Sequence, residues 1–144
     1  FIYIKGLIML KGFILGCFLC IPIISFAESN WKVVGSSKEN VYGIDINSIS
    51  NVTEYPYQSN KKAWIKSVIV NDLTKDSMTV GDYNMVLQWA NCNARTLGYK
   101  SNTAYRKNGT VINNLSNSVS YVRMSDVIPG SIGEAILDSI CSPE

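Results

Sequence analysis

The chain has 144 residues, thirteen basic and eleven acidic side chains, and no histidine. That length suits one domain. Without histidine the usual general base at neutral pH, the Ser-His-Asp and Cys-His arrangements and the commonest metal ligand are all missing. No P-loop or GxGxxG occurs either, so the expectation is a non-catalytic chain with no cofactor and no metal.

The N-terminal segment reads as an export signal. Residues 12–27, GFILGCFLCIPIISFA, are apolar, follow Lys11, and end in Ser25-Phe26-Ala27, small residues at −3 and −1 before Glu28. Translation from Met9 would give a complete signal, so residues 1–27 are assigned to the signal and 28–144 to the domain. A membrane anchor would need about 20 apolar residues and no cleavage site. A lipid anchor on Cys17 would use the loose lipobox Ile14-Leu15-Gly16-Cys17, but the residues after Cys17 stay apolar where a tether is normally polar. Cleavage is the preferred reading. The domain then sits in the periplasm or on the outer surface.

Removing the signal changes the charge. Two of the thirteen basic residues, Lys5 and Lys11, go with it, leaving eleven basic against eleven acidic. Nucleic-acid binding needs a basic face that releases counterions, and a neutral domain does not clearly supply one, so no nucleic acid is expected. Cys17 and Cys20 also leave, and Cys92 and Cys141 remain. In an oxidising compartment these two have one intrachain pairing, a disulfide, with a pair of buried free thiols as the alternative.

Along the domain, Trp31–Val34 and Val41–Ile46 read as short strands, Asn47–Asn51 as a turn, and Thr53–Lys62 with Pro56 as a loop. Ala63–Val70, β-branched and aromatic without a breaker, is the strongest strand. One of its faces carries Trp64, Lys66, Val68 and Val70, the other Ile65, Ser67 and Ile69. Residues 71–82 form a polar connection. From Tyr83 to Thr96 apolar residues recur at period two, which favours a strand over a helix for MVLQWANC. Asn108-Gly109, flanked by Leu97–Lys107 and Thr110–Asn113, predicts a two-residue hairpin turn. Residues 113–120 read as loop and Tyr121–Met124 as a last short strand. Ser131-Ile-Gly-Glu134 is a capping box opening a helix with Ile132, Ile136 and Ile140 on one stripe and Cys141 at its end. The fold class is α+β: a small antiparallel β-sheet with a C-terminal helix packed on it, closed by the disulfide. Trp64 and Trp89 are assigned to the core, and Trp31 is left open.

Three patterns imitate chemistry. Asp72, Asp76 and Asp82 are spaced through a polar loop, but not as in an EF-hand, and Lys75 sits among them. Asp126 and Glu134 make a carboxylate pair, yet Glu134 already has a capping role. Asn51-Val-Thr53, Asn108-Gly-Thr110 and Asn114-Leu-Ser116 match sequons, each with an ordinary turn reading.

Several of these pieces come in a telling order: Trp31, Val41-Tyr-Gly-Ile-Asp45 with Ile49, Ala63-Trp-Ile-Lys66, the strand leading to Cys92, Asn108-Gly109, and Val127-Ile-Pro-Gly-Ser131-Ile-Gly-Glu134 leading to Cys141. Together they resemble the surface-adhesin protein E family of Gram-negative bacteria. The resemblance implies an antiparallel sheet with a packed C-terminal helix. It further implies binding of host vitronectin, laminin or plasminogen, and homodimerisation. The adhesin member of that family is a lipoprotein, whereas this signal reads as cleaved, and many of its relatives are small exported proteins without an assigned role. The leading functional expectation is an adhesin-like module for host extracellular-matrix or serum proteins. The alternative is a periplasmic structural or envelope-associated protein with no host ligand. Lys61, Lys62, Arg106 and Lys107 are the weak ligand-binding candidates, provided that they form one patch.

Overall fold

The computed structural model describes residues 30–143. The signal, the Met9 start and the Cys17 lipid site lie outside the described residues. Eight strands form one antiparallel sheet: β1 (Trp31–Ser36), β2 (Asn40–Asp45), β3 (Ser50–Asn51), β4 (Lys61–Ile69), β5 (Tyr83–Asn91), β6 (Thr96–Tyr105), β7 (Val111–Ser116) and β8 (Ser125–Asp126). One helix, α1 (Ile132–Cys141), follows.

The strand order is β1-β2-β4-β5-β6-β7, with β3 on β4 and β8 on β6. Each long strand therefore pairs with its predecessor, as short connections favour. The two outer edges of the central β4-β5-β6 ribbon are each covered in two pieces. On one side β2 pairs with β4 as far as Ile44↔Ile65, the chain makes a 3-10 turn at Ile46–Ser48, and β3 resumes at Ser50↔Lys62. The Asp45 carboxylate caps that turn by accepting from the Asn47 N–H at 3.1 Å. On the other side β7 pairs with Ser101–Tyr105 and β8 with Thr96 and Leu97.

Period-two alternation decides which face α1 covers. Ile44, Ala63, Ile65 and Ala90 project to one side and meet Ile136, Leu137 and Ile140. Leu137 and Ile140 are fully buried, worth about 1.5–3 kcal/mol each in transfer free energy. The helix begins as its capping box predicts: the Ser131 hydroxyl accepts from the Glu134 N–H at 3.2 Å. The Glu134 carboxylate, however, reaches one residue further back, accepting from the Gly130 N–H at 2.7 Å. Its other oxygen pairs with Arg95 at 3.0 Å, and Arg95 also holds Asp138 at 3.0 Å. One guanidinium thus ties the β5–β6 connection to two turns of the helix. Cys92 and Cys141 are bonded, with Cα atoms 5.7 Å apart, closing the end of α1 onto the end of β5.

The opposite face is covered only at one end. There Val52, Trp89 and Val122 form a second buried cluster, with Tyr57, Val119 and Met124 against it. The loop at 52–60, which carries a cis Tyr55-Pro56 bond, and the segment 119–124 fold over Trp89.

Several local expectations are corrected. Trp64 is only half-buried, because it shares the face of Lys66 while Ala63 and Ile65 take the helix side. The Asn108-Gly109 hairpin exists, but its loop has three residues. Arg106 N–H donates to Thr110 O and Gly109 N–H to Arg106 O, both at 2.8 Å, and positive φ falls on Gly109 alone (87°). That is a type I turn followed by a left-handed glycine, which twists with the strands as a two-residue turn does. The expected loop after Asn113 continues as β7 to Ser116, because Asn113, Asn114 and Leu115 find partners in Ala104, Thr103 and Asn102. The expected strand at Tyr121–Met124 is instead a 3-10 turn, Val119–Tyr121, with β8 after it.

Candidate functional site

The half of the second face not covered by the Trp89 cluster carries a row of aromatic and aliphatic side chains running across four strands. Trp31 and Val33 come from β1, Val41 and Gly43 from β2, Lys66 and Val68 from β4, and Tyr83 from β5. Register brings them together: Val33 is opposite Gly43, Gly43 opposite Lys66, and Val68 opposite both Val41 and Tyr83. Trp31, Val33, Val41, Gly43, Lys66 and Val68 line a shallow groove of about 240 Å³. Gly43 lets it dip: a Cβ there would meet the Trp31 ring at an ordinary 3.5 Å.

Lys66 is the polar feature of this groove. Its Nζ lies 4.3 Å from the Tyr83 ring centroid and 6.0 Å from that of Trp31. Tyr83 in turn stacks on Tyr105, with centroids 5.0 Å apart and an interplanar angle of 13°. A ring face attracts the cation without consuming its N–H donors, so the ammonium remains able to bind an anion. The arrangement can therefore take an apolar side chain and a carboxylate side by side. No described element covers it, and Val33 keeps 67% of its surface.

The four basic residues singled out from the sequence do not converge. Lys61 and Lys62 pair with Ala90 and Trp89 at one end of β5, and they project to opposite faces. Arg106 and Lys107 follow Tyr105, which pairs with Tyr83 at the other end. The separation along β5 is about 24 Å at the usual rise per residue. Arg106 is also engaged: its Nη1 donates to the buried Asp82 carboxylate at 2.9 Å and to Ser77 O at 2.6 Å. The single basic patch is thus not assembled, because adjacent residues of a strand alternate faces and β5 separates the two pairs.

The carboxylates of the polar connection are likewise engaged locally. Asp82 accepts the N–H groups of Thr79 and Lys107, each at 3.0 Å, in addition to Arg106. The Thr79 N–H above all, then the Arg106 guanidinium and the Lys107 N–H, hold its carboxyl below the ordinary value against the opposing effect of burial. Asp76 accepts the Met78 N–H at 2.7 Å, and Asp72 lies 3.8 Å from Lys75 Nζ. Glu39 is lowered chiefly by the Thr74 hydroxyl and N–H and tethers the start of the same connection. Asn108 and Asn114 accept from Thr110 N–H and Thr103 Oγ1 within their own hairpin.

The sequence pointed to none of the Lys66 groove as a site. The signal was present in the alternation itself, since Trp64, Lys66 and Val68 share a face. The lack of a covering element on that face emerges only from where α1 packs. Among the described residues no helix is long and apolar enough to cross a membrane. The disulfide is of a kind that persists in oxidising compartments. The chain has no match among family models, curated proteins or solved structures.

Proposed function

We propose that this chain is an exported, non-catalytic protein-binding domain with an adhesin-like role, and that Lys66 and its aromatic neighbours form the contact surface. One observation carries the reading: a lysine cation set against Tyr83 and Trp31 on a sheet face that no described element covers. Exposed aromatics around a cation are the composition expected of an interface anchor. The disulfide agrees with export, and the resemblance to the surface-adhesin protein E family suggests host extracellular-matrix or serum proteins such as vitronectin, laminin or plasminogen. A carboxylate flanked by an apolar residue is the partner chemistry that fits the groove.

The test has two parts. Protease shaving of intact cells, with a lysed-cell control, asks whether the domain faces outward. Capture of vitronectin, laminin and plasminogen by wild type and Lys66→Glu then asks whether this face binds. Surface digestion with at least a tenfold weaker capture by the variant supports the proposal. Protection in intact cells rejects the adhesin role.

A second reading is favoured by the scattered basic pairs: without one cationic patch the domain lacks the long-range steering common in charged-ligand capture. It would then be a periplasmic structural or envelope-associated protein with no host ligand.

A further inference from the structure

A separate groove lies where the β7 exit and the 3-10 turn return to β6. It has a volume of about 280 Å³ and is lined by Tyr99, Asn117, Tyr121 and Arg123. Three features distinguish it from an ordinary surface dip. Tyr99 and Tyr121 keep 49% and 72% of their surface exposed, so two largely exposed aromatic residues line one groove. Arg123 forms no ion pair and no hydrogen bond among the described residues, whereas Arg95 and Arg106 are each paired with acidic side chains. The backbone that presents these groups is fixed by hydrogen bonds between Asn117 and the Tyr99–Lys100 segment.

Those contacts come from both strands of the groove. Asn117 N–H donates to Lys100 O at 2.8 Å, Asn117 Nδ2 donates to Tyr99 O at 3.2 Å, and the Lys100 ammonium donates to Asn117 O. The Asn117 Oδ1 is left as an acceptor. Lys100 is the extra residue of a bulge between the Leu87↔Ser101 and Gln88↔Tyr99 pairs, and bulges re-aim neighbouring side chains. On the far wall the chain at Arg123 passes directly over Gly98. A Cβ there would lie 2.6 Å from Arg123 O and 2.7 Å from Met124 Sδ. Only a glycine permits that approach, and it sets the position from which Arg123 extends.

We propose that this groove binds an acidic sugar unit, a hexuronate or a sialic-acid-type residue, free or at the end of a glycan. The apolar C–H face of a pyranose ring packs on an aromatic face such as those of Tyr99 and Tyr121. Its hydroxyls meet the Asn117 Oδ1 and the tyrosine hydroxyls, which both donate and accept. A carboxylate matches the planar fork of Arg123 through two parallel hydrogen bonds. Arg123 is the one cation among the residues lining the groove, which favours a monoanion over a phosphorylated ligand. A stacked nucleic-acid base would bring a run of phosphates that this neutral domain does not complement. The site is independent of the Lys66 groove and of the protein-binding reading.

Two-dimensional amide NMR of the disulfide-bonded protein tests it with glucuronate, galacturonate and N-acetylneuraminate, against glucose, galactose and inorganic phosphate. Saturable shifts confined to residues 98–100 and 117–123, with Kd on the order of 1 mM for an acidic sugar, are the expected result for a single-ring ligand. Arg123→Gln should weaken the acidic sugar at least tenfold and remove its advantage over the neutral one. Tyr121→Ala should weaken both sugars, and Lys66→Gln should change neither. Both the Arg123 and Tyr121 side chains are exposed, so the amide spectrum itself reports that the variants remain folded. Equal response to acidic and neutral sugars, an unaltered affinity in Arg123→Gln, or no shift at these residues would overturn the proposal. A stronger response to phosphate than to any sugar would replace it with a simple anion site.

Discussion

Asp82 and Arg106 are joined across 24 positions of sequence by a 2.9 Å ion pair in which the carboxylate is buried and the guanidinium partly exposed. The same carboxylate accepts two backbone N–H groups, from Thr79 before β5 and Lys107 after β6. It therefore fastens the polar 71–82 connection to the tip of the β6–β7 hairpin, at the end of the sheet farthest from the disulfide.

Asp82→Asn should lower the melting temperature by several degrees at neutral pH, since a buried network loses its charge while the Arg106 cation stays. The pH dependence has a definite sign. The folded carboxyl titrates below its ordinary value of 3.8, so the unfolded chain takes up its proton first. The stabilisation is complete well above that value and is lost as pH falls through it toward the depressed folded value. Thermal melts from pH 7 down to pH 2 should show the wild type losing its advantage over Asp82→Asn in that acid window. A constant difference at all pH values would contradict the assignment.

Replacing both cysteines by serine should cost about 4 kcal/mol in the chain-entropy account of a loop this long. The bonded residues are 49 positions apart. Because the bond clamps the last turn of α1 to β5, the loss should appear first as increased amide exchange in residues 136–141. Urea titration of the oxidised, reduced and double-serine proteins separates this from a direct effect of the substitutions, since the latter two should agree.

Gly35 and Ile132 offer a cleaner test of helix docking. A Cβ on Gly35 would sit 2.7 Å from Ile132 Cδ1. Gly35→Ala should therefore destabilise by about 1–2 kcal/mol through overpacking. Ile132→Val removes that Cδ1 methyl, so in the Gly35→Ala background it should recover most of the loss rather than add to it. Chemical denaturation of the two single variants and the double variant yields the coupling energy. Simple additivity would mean that α1 does not rest on β1 at this point.

Trp89 is fully buried, and its indole Nε1 meets no acceptor among the described residues. Its worth is thus in volume, in the Val52–Val122 cluster and against Tyr57 at 5.2 Å. Trp89→Phe should cost less than about 2 kcal/mol, because removing an unsatisfied donor offsets part of the lost packing. Trp89→Ala should cost about 3–5 kcal/mol. A loss well above about 2 kcal/mol for Trp89→Phe, measured by urea unfolding, would contradict an unsatisfied indole nitrogen.

Local chemistry made much of this fold readable in advance. The β-branched run from Ala63 favours a strand, Ser131 with Glu134 marks a helix start, and the two cysteines of the domain have one intrachain pairing to make. Each of these depends on neighbours a few residues away, or on simple arithmetic. Trp64 is half-buried, not in the core as expected, because composition does not say which of two alternating faces receives the helix. Ala63 and Ile65 won that face, leaving Trp64 and Lys66 on the other. The basic patch failed for a related reason: Lys61, Lys62, Arg106 and Lys107 are close in kind but are held about 24 Å apart by the length of β5. The groove at Lys66, the buried ion pair of Asp82 and the Tyr99–Arg123 cleft all join residues from separate strands and connections. Sequence by itself determined the long central strands, the C-terminal helix and the one pairing open to Cys92 and Cys141. Tertiary structure alone decided which side chains share a surface, because register and the docking of one helix set the partners that periodicity leaves undetermined.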